Sequence, residues 1–409
     1  MLLSKTVFWL TDFEQPLPCL LFYKALRKYI WFYPLCKWFY DLSSGLLICC
    51  DRMNADDKKW KYCNFCDFGK NDCCMCCDML YCGMNDCFGY CDSPNYFCDK
   101  SIKELTASDF QQILDKCDRN YKLFCGCAPC QPFTKQFTGS SKSDDRKDLL
   151  TYFGSIVKEC QPDFVFVENV PGLQKISKQD QGPFPEFKKL LEGMNYKIAC
   201  RVVAAQDYGA PQLRRRFVFL ASRHGEISIP EPTHGRDADT PYETVYKAIF
   251  DLPVIAAGES YVGGGVLNHR AAMLSDLNME RIKTSAHNGG GRNNWPKELW
   301  PACYTRTDKN DKTHSGHTDC YGRLRWDYPA PGLTTRCISY SNGRFGHPVQ
   351  DRAISVREAA RLQGFADDFE FTGNLNSMAR QIGNAVPVDL ALAMGNHFIK
   401  HLEAIHGQI

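Results

Sequence analysis

Gly126-Cys127-Ala128-Pro129-Cys130-Gln131-Pro132-Phe133 is the stretch that decides how the rest of this chain is understood. The five residues before it, Tyr121-Lys122-Leu123-Phe124-Cys125, make an apolar run of the length of a buried strand. Pro129 cannot donate to a sheet ladder, so the strand ends there and Cys130 falls in the turn that leaves it. The carboxyl edge of a parallel sheet is where nucleophiles are often placed. A turn opening toward a helix offers unpaired N–H groups, which favour a thiolate. A cysteine after a strand is more often a small buried hydrophobe, so Cys130 alone decides nothing.

Three later stretches change the odds. Phe164-Val165-Phe166-Val167-Glu168-Asn169-Val170-Pro171-Gly172 is a second apolar strand ending in an acid. Gln212-Leu213-Arg214-Arg215-Arg216 precedes a third, Phe217-Val218-Phe219-Leu220. Near the end stand Arg357-Glu358-Ala359-Ala360-Arg361-Leu362-Gln363-Gly364-Phe365 and Gln381-Ile382-Gly383-Asn384-Ala385-Val386-Pro387. A Pro-Cys-Gln, a Glu-Asn-Val, a Gln-x-Arg-x-Arg, an Arg-Glu and a Gly-Asn-Ala-Val-Pro, in that order, resemble the DNA cytosine carbon-5 methyltransferases of bacterial restriction-modification type. The resemblance covers about residues 101 to 409. Each motif is weak alone; the ordered set is specific.

The resemblance implies an α/β fold with a mostly parallel, doubly wound, Rossmann-like sheet and a second, smaller DNA-recognition domain. It implies S-adenosylmethionine as methyl donor, double-stranded DNA as substrate, no metal, and a cognate restriction endonuclease as genetic partner. A monomer in the cytoplasm, associated with the nucleoid of a bacterium or serving a virus, fits the compact build. The four catalytic positions carried over are Cys130 as the thiolate that attacks the ring, Glu168 as the carboxyl at ring nitrogen 3, Arg216 as the cation at the ring carbonyl, and Arg214 as support for the Cys130 loop. On the donor side they are Asp41, Gly45, Pro129, Asn384, Ala385 and Val386. The bland alternatives are that Glu168 caps a turn and that the arginines are surface charges. Arg357 and Glu358 match the family's segment that packs the two domains together and are expected to be structural rather than catalytic, a pair on a helix surface being the bland alternative.

Bulk properties narrow the field. A chain of 409 residues is long enough for two domains. A net charge of +2 excludes a global polycation, so contact with nucleic acid must come from a local basic face. No uncharged apolar run approaches the roughly 20 residues that span a bilayer, and the first residues lack the pattern of a secretory signal. Of the 23 cysteines, 14 lie in residues 1–100, so they read as one odd segment of a reduced, intracellular chain rather than as a disulfide scaffold.

That first segment carries neither period 2 nor period 3.6. Aromatics crowd it (Trp31-Phe32-Tyr33, Trp38-Phe39-Tyr40), as do cysteines (Cys73-Cys74-Met75-Cys76-Cys77). Three readings compete. Cys63/Cys66 with Cys73/Cys76, or Cys74/Cys77, have the spacing of zinc-ligand pairs, but further cysteines follow irregularly at Cys82, Cys87, Cys91 and Cys98. A divergent cofactor-binding half is the second. The third is translation out of frame, which the joint excess of Cys, Trp, Tyr and Phe favours. Where the family has a glycine-rich turn, Asp41-Leu42-Ser43-Ser44-Gly45-Leu46-Leu47 keeps the Asp-Leu and one glycine.

From Ser101 the composition is ordinary, and four segments are expected: 1–100 in place of the cofactor half, 101–223 catalytic, 224–322 for target recognition, and 323–409 returning to the catalytic domain. Thr134–Lys147 reads as a polar loop that closes over a base. Leu149, Leu150, Phe153, Ile156 and Val157 have helical spacing and should cover the sheet. Residues 224–322 hold two glycine triplets and six of the ten histidines. They turn basic after 281, as a DNA-facing surface would. Other classes fit less well. A silent or decayed relative would bind DNA without the donor. A methyltransferase acting on transfer RNA would share Pro-Cys-Gln-Pro-Phe-Thr but should carry a Cys-Phe-Thr that is absent here. A thiol oxidoreductase would leave the Glu and Arg motifs unused. Reading the gene from an independent isolate tests the out-of-frame hypothesis: the same frame found intact there sinks it.

Overall fold

A computed structural model describes residues 105–114, 121–127, 149–172, 182–302 and 320–406, and three N-terminal strands. Its centre is a seven-stranded sheet. In chain order the strands are β1 (Lys5–Thr11), β2 (Gly45–Cys50), β3 (Asn95–Cys98), β4 (Tyr121–Gly126), β5 (Phe164–Asn169), β6 (Lys197–Ala204) and, after the two-residue β7 (Gln212–Leu213), β8 (Arg215–Ser222). In space they run β3-β2-β1-β4-β5-β8-β6. Only β1–β4 and β4–β5 are parallel; β1–β2, β2–β3, β5–β8 and β8–β6 are antiparallel. The mostly parallel sheet expected from the resemblance is therefore a mixed one. Part of the reason is chain length: residues 205–214 between β6 and β8 are too few for the crossover that a parallel pair needs.

Both faces are covered, which explains why β5 is apolar almost throughout and buried along its whole length. Side chains alternate between two cores. Phe124, Val165, Val167, Phe217 and Phe219 face one way, against α2 (Leu149–Cys160) and α3 (Pro183–Gly193). All five residues expected to seat α2 are buried there. Cys125, Cys127, Phe164, Phe166, Val218 and Leu220 face the other way, into a larger core completed from the C-terminal end of the chain. That cover is α6 (Val356–Leu362), α7 (Leu375–Asn384) and α8 (Val388–His406), contributing Leu362, Met378, Ile382, Met394 and Phe398. The remaining described α-helices are α1 (Ala107–Leu114), α4 (Val245–Ile249) and α5 (Asp276–Thr284).

The region after β8 is divided. Ile227, Ile229, Val245, Ile249 and Leu252 lie in the larger core. A separate small core forms from Ile282, Trp295, Leu299, Tyr340 and Ala353, so it draws on both sides of residues 303–319, which lie outside the described residues. Regular structure is sparse here, and buried arginines hold the loops. Arg323, fully buried, donates to the carbonyls of Ile282, Ser285, His347 and Gln350 and to Asp351. Such a group is tolerated in a core only when its donors find acceptors.

Arg357 and Glu358 are structural, as expected, but not as the helix-surface pair of the bland alternative; both are buried and neither binds the other. Arg357 donates to the carbonyls of Leu267, Ala366 and Phe369. Glu358 forms a two-pronged pair with Arg352, at 2.7 Å on each prong, and accepts from Ser355 N at 2.7 Å as part of the cap of α6. These donors hold its carboxyl down at about 2 despite burial, Arg352 first among them. His347 stands 3.7 Å from Glu358. Its Nδ1 accepts from the amides of Val349 and Gln350, so the ring is neutral, and burial pushes its pKa down to about 4.

Both shifts are depressions, so both destabilise the fold in acid. The His347 contribution is whole above the ordinary imidazole value of 6.5 and is lost as pH falls toward about 4, because the unfolded chain takes the proton first. Glu358 adds a further loss from 4.5 down to about 2. Urea unfolding below pH 6.5 should lose stability on the order of 1 kcal/mol per pH unit from a buried neutral histidine. His347→Asn, which keeps an acceptor for the two amides, should flatten that slope; an unchanged slope would mean that other groups carry it.

Candidate active site at the carboxyl edge of the sheet

Strand order reverses between β1 and β4: β2 and β3 extend outward from β1 on one side, β5, β8 and β6 from β4 on the other. The crevice outside the carboxyl ends at such a point is where open α/β sheets take ligands. Gly126 stands opposite Val167 in the parallel β4–β5 pair, so the chain leaves β4 level with Glu168 and runs on toward Cys130. Pro129 and Cys130 themselves lie outside the described residues.

Glu168 pairs across the sheet with Val218, which puts Arg216 diagonally beside it on the same face, within reach of a long side chain. The two meet, Arg216 Nε to Glu168 Oε1 at 2.7 Å. The contact is close but off the N–H axis, so it is an ion pair more than a hydrogen bond, and Oε1 is left with no aligned donor. Glu168 is 7% exposed. Burial pushes its carboxyl above the usual range; Arg216, and behind it Arg214, oppose this. Burial thus favours the protonated carboxyl while a permanent cation beside it favours the charged one. That combination suits a ring that gains and loses charge at adjacent atoms.

Arg214 has a different task from Arg216. It is 4% exposed, and its guanidinium donates to Leu333 O, to Gly383 O at 2.7 Å and to Ala385 O at 3.2 Å. It thus ties the strand carrying Arg216 to two C-terminal segments. The expected support of the Cys130 loop falls on residues outside those described.

The same C-terminal turn carries the donor-side positions. Asn384 ends α7 and is exposed, whereas Ala385 and Val386 are sunk in the core. Gly383 is required by close approach: a Cβ there would stand 2.3 Å from the backbone of Thr334. Gly45 does not sit in a phosphate-style turn. It opens β2, antiparallel to β1 and opposite Thr11. Asp41 and the zinc candidates Cys63, Cys66, Cys73 and Cys76 lie outside the described residues. Among the described residues, no group of three or more metal-ligating side chains converges, and no helix is long and apolar enough to cross a membrane.

Two buried amides escaped the sequence reading. Gln212 and Gln363, both fully buried, bond end to end beneath the site. Both stand inside motifs already quoted; the available signal was a polar residue in an otherwise apolar setting.

Residues 95–400 match the family described as C-5 cytosine-specific DNA methylase. The chain is similar to the type II methylase M.HgiDII of Herpetosiphon aurantiacus, 38% identical over 314 residues that make up 76% of this chain and 84% of that one. It is also similar to the type II methyltransferase M1.HphI of Haemophilus parahaemolyticus, 34% identical over 318 residues, 76% of this chain and 78% of the relative. Among solved structures, a putative DNA modification methyltransferase encoded within a prophage of E. coli shares the fold. Its TM-score is 0.54 at 23% identity, covering 75% of this chain and 86% of that one.

The ion pair makes a prediction independent of any reaction. The Glu168 carboxyl, followed by carbon-13 NMR, should titrate above the usual carboxylate range, and Arg216→Ala should move it higher still, because the nearer opposing cation is gone. A fall on removing Arg216 would contradict the pairing.

Proposed function

The chain belongs to the family of C-5 cytosine-specific DNA methylases, and from that premise we propose that it transfers a methyl group from S-adenosylmethionine to carbon-5 of a cytosine swung out of duplex DNA. The observation that carries this reading is the buried Glu168–Arg216 pair at the carboxyl end of β5, beside the strand that leads to Cys130.

Cytosine carbon-5 is a poor nucleophile. A thiolate at Cys130 adding to carbon-6 turns the ring into an enamine, whose carbon-5 can accept an electrophile. Glu168 holds a proton at ring nitrogen 3, and Arg216 meets the negative charge that builds on the ring carbonyl. Loss of the carbon-5 proton then restores the double bond and expels the Cys130 thiolate. S-adenosylmethionine, when bound, supplies an electrophilic methyl group on a sulfonium. Of its pocket, the described residues fit one wall: the exposed Asn384 on a turn locked by Arg214 and Gln363. Asp41, Gly45 and Pro129 are the other positions carried over for the donor; Gly45 lies in a strand rather than a cradle. A base inside a duplex is out of reach, so extrusion is required, with the Thr134–Lys147 loop filling the gap. The segment 224–322, together with the small core that continues to Ala353, is the part that reads the target sequence. A cognate restriction endonuclease is its genetic partner.

A second reading has its own support. The family match begins at residue 95, and Gly45 lies in an antiparallel strand. A relative that binds DNA but not the methyl donor would look like this. Calorimetric titration with S-adenosylmethionine, beside a Cys130→Ser control, separates the two. Micromolar binding untouched by the substitution is expected. Methyl transfer to duplex DNA should then be abolished by Cys130→Ser and reduced on the order of 100-fold by Glu168→Gln, the scale of a positioned general acid. No binding would leave the silent relative as the better reading.

A further inference from the structure

The carbonyls at the end of α7 run out of helical donors, as at any helix C-terminus. Side chains from distant parts of the chain supply them. Gln363 Nε2 donates to Ile382 O at 2.9 Å and to Ala385 O at 2.5 Å, while Arg214 covers Gly383 O. Gln363 Oε1 in turn accepts from Gln212 Nε2, whose second hydrogen goes to Leu362 O at 2.8 Å. Gln212 Oε1 accepts from Leu333 N at 3.2 Å. Both carboxamides are thereby satisfied at each end, in one direction, from Leu333 through to Ala385. The main chain adds a link, Val388 N to Gln363 O at 3.0 Å, at the start of α8.

This relay joins two places that a methyl transfer must keep in register. One is the stretch Gln212–Arg216, which leads into the Glu168–Arg216 pair. The other is the turn Gly383–Val386 that opens α8. A primary amide is the neutral side chain that can donate twice to carbonyls and accept once; a carboxylate there would set acceptor against acceptor. Buried polar chains of this kind fix one arrangement when fully satisfied.

We infer that Gln363 is a positioning residue for the transfer: its carboxamide locks the Gly383–Val386 turn to the Gln212–Arg216 strand, so that the donor wall and the base-binding pair are held as one unit. This rests on the methyl-transfer reading above.

The test compares the full-length chain with Gln363→Met, which keeps length and volume, Gln363→Glu, Gln212→Met and the Gln212→Met/Gln363→Met double variant. The first readout is amide hydrogen exchange without donor. In Gln363→Met, exchange in 383–390 and 212–216 should quicken roughly tenfold while β5 is unchanged, the mark of a local opening rather than global loss. Affinity for S-adenosylmethionine should weaken by about the same factor with duplex-DNA affinity retained, and the double variant should be no worse than either single one, because the two amides act as a unit. Gln363→Glu should be worse than Gln363→Met. Exchange that rises evenly along the chain, or stays unchanged in the two segments, overturns the inference. So does a parallel loss of donor and DNA affinity, which a merely structural role would give. The local exchange change in a chain whose unaltered form binds no donor would uphold the tie and sink the proposed function instead.

Discussion

The C-terminal end of α7 is a row of carbonyls that must be satisfied away from water, and much of the site depends on how that is done. Arg214 and Gln363 supply the donors, and each belongs to a different part of the chain. Closing the last third of the sequence onto the sheet is thus not only a matter of apolar area. Met378, Ile382 and Met394 bring the surfaces together, but apolar contact is non-directional and would tolerate a slide of the helices. Hydrogen bonds from a fixed guanidinium and an amide do not, because each unmet carbonyl would cost the desolvation already spent on it.

The same device recurs farther from the site. Arg323, Arg352 and Arg357 are fully buried, and all three send guanidinium hydrogens into backbone carbonyls of loops. In a region with few ladders and short helices, these side chains do the work of secondary structure. Glu358 is the one buried acid among them, and Arg352 answers it with two parallel bonds. Glu168 is treated differently. It has one close cation, an oxygen without an aligned donor, and burial working against its charge. The protein fully satisfies the acid that holds the fold and leaves incompletely satisfied the acid at the carboxyl end of β5.

What could be read from the sequence follows from where the information is local. The α2 stripe, the apolar β5 run ending in Glu168, and the strand after the arginine triplet were legible because burial dictates period and composition at each. Sheet direction was not: a strand buried on both faces reads alike in parallel and antiparallel pairs, and the antiparallel return of β8 depends on a connection too short to cross over. For Arg357 and Glu358 a helix-surface pair stayed open as the bland alternative, because adjacent charges on a helix usually are one. Their partners, Leu267, Ala366, Phe369 and Arg352, come from loops whose path no local pattern encodes.

Local sequence was enough to single out Glu168, Arg214 and Arg216 as candidates: an ordered set of short motifs carried them before any coordinate did, because chemistry demands particular side chains and sheet edges demand particular breaks. Their unlike orientations come from long-range packing. Two arginines two positions apart in the motif have unlike fates. Arg216 turns to Glu168 across a strand, and Arg214 turns to carbonyls more than a hundred residues away. Which way each points is set by acceptors that the remote C-terminal segment brings in, and only folding puts those acceptors within reach.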